Sequence, residues 1–328
     1  MYYCIVNPSA RSGKGKEIWD RLEKKLKKKG LEYRALFTEG PGDATKLARR
    51  VSRERQRVAL GYDSDGYIRI VVLGGDGTLN EVMNGIEDFD RTLVGYIPIG
   101  SSNDFARDLS FPKKTDELID LIIRGEKVRS LDLGRLTYNS MSEPMSRLHE
   151  EKISKTRIFD VSAGIGFDAA VCEEALSSST KNFFNKIGLG KLTYGVIAIR
   201  ELLSAPKVPC VIELDDGTKI HFKNYIFIAM MIHHYEGGGF NFAPGADLSD
   251  GKFDLCYAGD IHPAKMMLAL PCSFFGHYYW IKGIGHHVVS KVTIKTKEPM
   301  WVHTDGEVAV KSDNITVECL KQKLNLMC

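Results

Sequence analysis

Three apolar runs in this chain end in residues that could hold a phosphate. Val6 leads into Asn7-Pro8-Ser9-Ala10-Arg11-Ser12-Gly13-Lys14-Gly15, Leu73 into Gly74-Gly75-Asp76-Gly77, and Ile99 into Gly100-Ser101-Ser102 followed by Asn103 and Asp104. Glycines let the backbone approach an anion closely, and free N–H groups and helix N-termini attract its oxygens. An aspartate among them is intelligible where a divalent cation offsets the repulsion. Taken alone, Gly74 to Gly77 reads equally as a tight turn; its two companions favour phosphate binding. The chain has no G-x-x-x-x-G-K-[ST], no G-x-G-x-x-G after its first apolar run, and no H-R-D or D-F-G pair.

Such loops must be positioned by strands and helices. Up to about residue 133, short β-branched runs alternate with helical patterns, which predicts a parallel α/β domain. Strands are expected at Tyr3 to Val6, Tyr33 to Phe37, Ile68 to Leu73 and Leu93 to Ile99. After the first loop, Ile18, Trp19, Leu22 and Leu26 recur at helical spacing, with Glu17–Arg21, Asp20–Lys24 and Glu23–Lys27 at i,i+4. A second helix is expected near Gly42 and Asp43, followed by a polar connection around Asp63 to Gly66. Thr78 and Glu81 have the spacing of a capping box, and Asn103 or Asp104 that of a helix cap. All three loops then fall at one edge of a parallel sheet, where open α/β folds bind ligands.

From about residue 134 the texture changes to short strands and Gly, Asp and Asn turns, predicting an antiparallel β-rich second domain. Asn139 to Thr156 is polar and charge-mixed and reads as an exposed insertion or surface helix. Pro263 to Lys282 reads as a helix, kinked at Pro271. Its Phe274, Phe275, Tyr278, Tyr279 and Trp280 suit either a core helix or a partly exposed face that dips toward lipid. Asp305-Gly306 reads as a type I′ hairpin turn with Glu307 exposed beside it, and Ser249 to Lys252 as another turn. His233 and His234 read as structural, because no Cys or second His stands at zinc spacing.

Composition narrows the function classes. The 328 residues suffice for two domains at about 150 residues each. Hydrophobic residues at 43% and charged residues at 27% exclude collagen-like, coiled-coil and wholly disordered chains. The net charge of +3 lacks the basic excess of a nucleic-acid binder, yet residues 11–34 carry ten Lys or Arg against four Asp or Glu. Lys24, Lys25, Lys27, Lys28 and Lys29 suit either a solvated helix face or adhesion to an anionic membrane. Seven scattered cysteines without a C-x-x-C pair read as reduced thiols. The apolar stretch from Met266 to Ile281 is broken by Pro271 and His277 and falls short of the ~20 residues of a membrane span. With no secretory pattern at its start, the chain is expected to be cytoplasmic.

Together these residues resemble the soluble diacylglycerol kinase catalytic-domain family, which includes bacterial lipid kinases and has sphingosine and ceramide kinases as relatives. The resemblance rests on Asn7-Pro8 with Ser12-Gly13-Lys14-Gly15, on Gly74 through Val82, and on Pro98 with Gly100 through Arg107. It continues through Ala243-Pro244-Gly245 to Asp250-Gly251 and ends at Asp305-Gly306-Glu307. It implies an N-terminal α/β nucleotide domain over residues 1–133 and a C-terminal antiparallel β-sandwich lipid-substrate domain over 134–310. The insertion would lie near 139–156, residues 311–328 would return to the first domain, and ATP would bind between the two. The implied ATP contacts are Asn7, Pro8, Ser9, Ser12, Gly13, Thr38, Gly74, Gly75, Asp76, Gly77, Thr78, Leu79, Asn80, Glu81, Ser101, Asn103 and Asp104. Asp76 would organise magnesium and phosphates, and Glu307 would accept the proton of the lipid hydroxyl; related sphingosine kinases assign that base to the position of Asp76. A structural Mg2+ is implied at Asp247, Asp250 and Lys252. The implied reaction transfers the γ-phosphate of ATP to a lipid hydroxyl at the membrane's inner face, diacylglycerol first. No nucleic acid is implied, and a homodimer is compatible. The rival readings are a soluble-substrate kinase of the NAD kinase type and a non-catalytic lipid-binding protein on the same scaffold.

Overall fold

The computed structural model describes residues 1–58, 66–144, 154–167, 169–170, 172 and 208–328. Most of the connection expected at Asp63 to Gly66, and residues 145–153 of the expected insertion, lie outside the described residues. The chain divides into two compact units. Unit 1 comprises Met1–Leu133, Leu248–Asp250 and Leu320–Cys328; unit 2 comprises Gly134–Asp247 and Gly251–Cys319.

Unit 1 is built on parallel strands β1 (Tyr2–Val6), β2 (Tyr33–Phe37), β3 (Ile68–Gly74) and β4 (Thr92–Pro98). β1 lies between β2 and β3, and β4 pairs with the far side of β3. The chain leaves β1 toward one side for β2, then crosses to the other side for β3. Connections diverge at such a switch point and leave a crevice outside the strands' carboxyl ends. Helices α1 (Ala10–Lys28), α2 (Asp43–Val58), α3 (Asp76–Met83), α4 (Asp104–Arg107) and α5 (Thr115–Arg124) fill the connections. On one face, Trp19, Leu22 and Leu26 of α1 and Leu118, Ile119, Ile122 and Ile123 of α5 pack with Tyr2, Cys4, Val6, Val71 and Leu73. Burying each such Leu or Ile contributes roughly 1.5–3 kcal/mol. α2 packs with α3, and α2 also meets β1 and β3.

Several local expectations need correction. α1 starts at Ala10, well before the end of the expected loop, although Arg11 and Gly13 take positive φ in its first turn. Of the three expected i,i+4 pairs, Glu17–Arg21 and Glu23–Lys27 form. Of the lysine cluster, Lys25 Nζ instead donates to Asp120 Oδ2 at 2.8 Å and the Asp116 carbonyl at 2.7 Å, fastening α1 to α5. The capping box at Thr78 and Glu81 does not form. α3 already begins at Asp76 behind an extended Gly75 with no side-chain cap. Glu81 accepts from Gly42 N at 2.8 Å and Ala44 N at 3.1 Å, serving the start of α2. Asn103 does sit at the start of α4, with φ 51°, but its amide donates to the Gly100 carbonyl and makes no cap bond.

Unit 2 is antiparallel. It contains part of β5 (Val128–Tyr138), then β6 (Ser142–Pro144), β7 (Thr156–Phe159), β8 (Ser162–Gly166), β9 (Val208–Leu214), β10 (Lys219–Met231), β11 (Tyr235–Glu236), β12 (Phe240–Asn241) and β13 (Phe253–Gly259). After helix α6 (Pro263–Ser273) come β14 (Ile284–Val289), β15 (Lys291–Thr304) and most of β16 (Glu307–Met327). The first half of β10 pairs with β9; after register shifts near Tyr225, its second half pairs with β13 and β8. β15 likewise pairs with β9 through Val292–Thr296 and with β8 through Val302–Thr304. Strands that bend at bulges in this way change sheets and enclose a core between them. That core contains Phe159, Ile165, Ile212, Ile228, Leu255, Ile294 and Val302, all buried. The last residues of β16 belong to unit 1, where Asn325 and Leu326 pair in parallel with Leu93 and Val94 of β4.

Two more expectations change here. Ser142–Pro144 and Thr156 are strand residues, so both described ends of the expected insertion join sheets. α6 stops at Ser273 instead of reaching Lys282. Pro271 removes a donor inside the last turn, and Gly276 at φ 67° turns the chain just past the helix end. The aromatic run is consequently divided: Tyr278 is buried, while Phe275 is 76% and Trp280 70% exposed.

Candidate active site

The carboxyl ends of the unit 1 strands carry the predicted loops. Asn7, Pro8 and Ser9 follow β1, with Ser12 and Gly13 in the first turn of α1. Thr38 follows β2; Gly74 ends β3, with Gly75 and Gly77 flanking Asp76; Ser101, Asn103 and Asp104 follow β4. Backbone bonds hold these ends in line: Asn7 N donates to Leu73 O at 2.9 Å, Thr38 N to Val6 O at 2.9 Å, and Ile99 N to Gly74 O at 2.8 Å. Asn7 Nδ2 donates to Thr78 Oγ1 at 3.1 Å, and Asn7 Oδ1 accepts from Ser9 N at 3.1 Å. The first and third loops are therefore tied by side chains.

The third and fourth loops meet backbone to backbone. A Cβ placed on Gly100 would lie 2.7 Å from Gly75 Cα, and one on Gly75 would lie 3.1 Å from Gly100 Cα. Only residues without side chains permit that approach without displacement. The result is a close pair of glycine loops in which Gly75, Asp76, Gly77 and Gly100 are half-buried and Ser101 is exposed. The Tyr96 hydroxyl points at Asp76 Oδ1 from 3.5 Å. Three predicted contacts are buried, Leu79 and Asn80 fully and Thr78 nearly so; the Thr78 hydroxyl is the one that accepts from Asn7, and Asn80 Oδ1 accepts from Asn84 Nδ2 at 3.2 Å. Asp104 is also buried, 3.5 Å from Arg107 Nε.

In unit 2, Asp305 and Gly306 take φ of 50° and 78°, the two positive angles of a type I′ hairpin turn between β15 and β16. Glu307 follows, half-buried rather than exposed. The Asp305 carboxylate accepts three backbone N–H groups, from Asp160, Val161 and Ser162, each at 2.9 Å. Its own N–H donates to Ser162 O at 2.8 Å. Behind the turn, His303 Nδ1 accepts from Gly306 N at 3.3 Å. Its Nε2 lies 3.4 Å from Glu236 Oε1, and the side chain is wholly buried. The turn's position is thus fixed by residues far away in sequence.

Unit 2 also holds a small cavity of about 30 Å3 whose exposed lining is apolar. Met266, Ala269 and Leu270 of α6 line it with Phe227, Phe242 and Tyr278. The Tyr278 hydroxyl donates to the Phe242 carbonyl at 2.6 Å, so its polar end is satisfied. Burial pushes the nearby Cys256 thiol up to about 12, which keeps it protonated and unreactive.

The residues fit a phosphate-bearing nucleotide better than a protein-built metal cage. Among the described residues, no group of three or more His, Cys, Asp or Glu is placed to hold a metal. Magnesium bound with nucleotide takes one or two carboxylates plus phosphate oxygens, a mode that Asp76 suits. Of the residues predicted for a structural cation, Asp250 belongs to unit 1 and Asp247 and Lys252 to unit 2; all three are exposed. His233 is buried, in keeping with a structural role.

Sequence reasoning missed Tyr96, His303, Glu236 and the 160–162 turn. Tyr96 sits in an ordinary strand run, and the partners of Asp305 lie more than 140 residues upstream. No local pattern marks any of them.

Comparison with known proteins agrees with this architecture. The family model for the diacylglycerol kinase catalytic domain matches residues 1–136, and that for the YegS C-terminal NAD kinase beta sandwich-like domain matches 161–328. YtlR of Bacillus subtilis (strain 168) is 29% identical over 312 residues, covering 94% of this chain and 93% of the relative. A diacylglycerol kinase of Staphylococcus carnosus (strain TM300) is 28% identical over 309 residues, covering 92% and 87%. A crystal structure from Bacillus anthracis str. Sterne shares the fold with a TM-score of 0.72 at 24% identity, covering 99% of this chain and 96% of the other. With both models matched in succession on a parallel α/β unit and an antiparallel unit, the chain belongs to the diacylglycerol kinase family.

Proposed function

We propose that the protein transfers the γ-phosphate of ATP to a lipid hydroxyl, with diacylglycerol as the first acceptor and phosphatidic acid as product. The observation that carries this reading is the close approach of the Gly75 and Gly100 loops at the switch point of unit 1, with Asp76 next to Gly75, in a chain of this family.

In this reading, peptide N–H groups of the Asn7–Gly13, Gly74–Gly77 and Gly100–Asn103 loops hold the phosphates, and Thr38 and Ser101 add hydroxyls. Asp76 orients a phosphate-bound magnesium, which when present neutralises charge on the phosphate oxygens. Glu307 accepts the proton of the attacking hydroxyl, and Asp305 holds the turn that presents it. A positioned base contributes ~10² to 10⁴ in rate.

Two variants test the assignment. Glu307→Gln should lose at least a hundredfold in turnover while retaining ATP affinity, since an amide cannot take the proton. Asp76→Asn should abolish transfer with the fold intact. Normal turnover in Glu307→Gln would move the base elsewhere, and normal turnover in Asp76→Asn would remove the nucleotide loop from the mechanism.

A further inference from the structure

Helix α6 is apolar on two sides. Met266, Ala269 and Leu270 face inward and line the pocket. Met267 and Leu268, one turn before Pro271 and two before Phe274 and Phe275, face outward; they are 43% and 51% exposed. A helix that is hydrophobic all round belongs in a core or a membrane, yet water covers half of this one. The turn after it continues the surface, with Phe275 76% and Trp280 70% exposed. Large exposed side chains gathered in one stretch of chain, as these are, point to an interaction surface.

Two of the rings after the helix make contacts within the protein. Phe274 stacks on Phe240 with ring centroids 4.1 Å apart. Trp280 Nε1 donates to the His277 carbonyl at 3.0 Å, so the indole is fixed and its polar atom is satisfied within the protein. Tyr278 and Ile281 beside it are buried and anchor the turn.

Charge selects the occupant. From residue 261 to residue 297 the chain contains no Asp or Glu, whereas Lys265 and Lys282 flank the exposed apolar side chains and are themselves exposed. Within this segment the formal charges beside the exposed apolar side chains are lysines, a pattern complementary to an anionic leaflet: hydrocarbon receives the aromatic and aliphatic groups, and headgroup phosphates receive the ammonium groups. Aromatic rings at this level match those enriched at membrane interfaces.

We propose that the outer face of α6 and the 274–280 turn, through Leu268, Phe275 and Trp280 with Lys265 and Lys282 at the rim, insert into the interface of an anionic bilayer. The inference rests on the lipid-kinase reading for its purpose, although the exposed surface stands without it. Docking by this face would set the helix that roofs the apolar pocket against the leaflet.

The test uses the full chain and vesicles of phosphatidylcholine with or without phosphatidylglycerol. Wild type should sediment with the anionic vesicles. The Leu268→Ser/Phe275→Ser/Trp280→Ser variant should lose at least tenfold in partitioning while its thermal unfolding stays unchanged, since all three side chains are more than half exposed. Brominated lipid should quench tryptophan emission in wild type, and Trp280→Phe should keep vesicle binding but lose most of that quenching. Turnover on vesicle-embedded acceptor should fall at least tenfold in the triple variant, with turnover on a water-soluble short-chain acceptor unchanged. Equal partitioning of wild type and triple variant would overturn the proposal, whatever the turnover. So would a wild-type dimer that the triple variant dissolves without any vesicle binding. Loss of partitioning in a protein that phosphorylates no lipid would uphold this surface and reject the kinase reading instead.

Discussion

Replacing Asp305 with Asn changes one oxygen to an amide nitrogen and tests how the turn before Glu307 is held. Oδ1 accepts from Val161 N and Ser162 N, and Oδ2 accepts from Asp160 N. An asparagine can keep its carbonyl at the first site, but its NH2 then confronts the Asp160 N–H, donor against donor. Asn also tolerates the positive φ of 50° at this position, so the turn itself remains accessible. Asp160 is buried, so its N–H loses its acceptor. A hydrogen bond to a charged group is worth about 1.5–3 kcal/mol, and Asp305→Asn should destabilise unit 2 by about that amount. Asp305→Ala, which strands all three donors, should cost more, about 2–4 kcal/mol once water relieves part of the loss. Urea unfolding followed by far-UV circular dichroism measures both. Turnover should fall in the same order with ATP affinity unchanged, because the turn lies in unit 2. Wild-type stability in both variants would refute the claim that this carboxylate fixes the turn. Wild-type turnover in a destabilised Asp305→Asn would separate the turn from catalysis.

Three further outcomes are expected. Gly100→Ala places a Cβ 2.7 Å from Gly75 Cα, so it should cost about 1–3 kcal/mol and weaken ATP binding, whereas Gly245→Ala, with open space around it, should do neither; calorimetric titration with ATP checks both. Glu318 lies beside Arg135 at 2.7 Å and Lys291 at 3.0 Å, and these hydrogen bonds hold its carboxyl below the usual 4.5. A depressed folded value gives stability that is present above 4.5 and lost as pH falls through the folded value, so Glu318→Gln should cost about 0.5–1 kcal/mol at pH 7 and converge with wild type in acid unfolding. If Asp250 holds a structural cation, magnesium should raise the melting temperature of wild type and not of Asp250→Ala; equal responses would remove the cation.

The parallel domain was legible because its strands β1, β3 and β4 are covered on both faces. Ile70 to Leu73 and Tyr2 to Val6 read as near-continuous apolar runs, and the glycine loops follow directly. Local spacing failed where a side chain serves a distant partner. Thr78 and Glu81 have capping-box spacing, yet Glu81 turns to Gly42 and Ala44, across from its own helix. Asp305-Gly306 announced its hairpin from sequence, but the donors at 160–162 and His303 beneath carry no sequence signal, because contacts of that span are set by strand pairing alone. Composition could not divide the aromatic run after α6. Tyr278 goes in and Trp280 out because α6 ends at Ser273, two residues past Pro271, and Gly276 reverses the chain.

The most direct measurement is transfer of labelled γ-phosphate from ATP to a panel of diacylglycerol, monoacylglycerol, sphingoid base, ceramide and polyprenol in mixed micelles, with NAD tested in parallel. The account predicts a labelled, organic-extractable phospholipid that requires magnesium and is absent with Asp76→Asn, and no labelled dinucleotide. Labelled dinucleotide with no labelled lipid would contradict it, as would lipid binding without any ATP turnover.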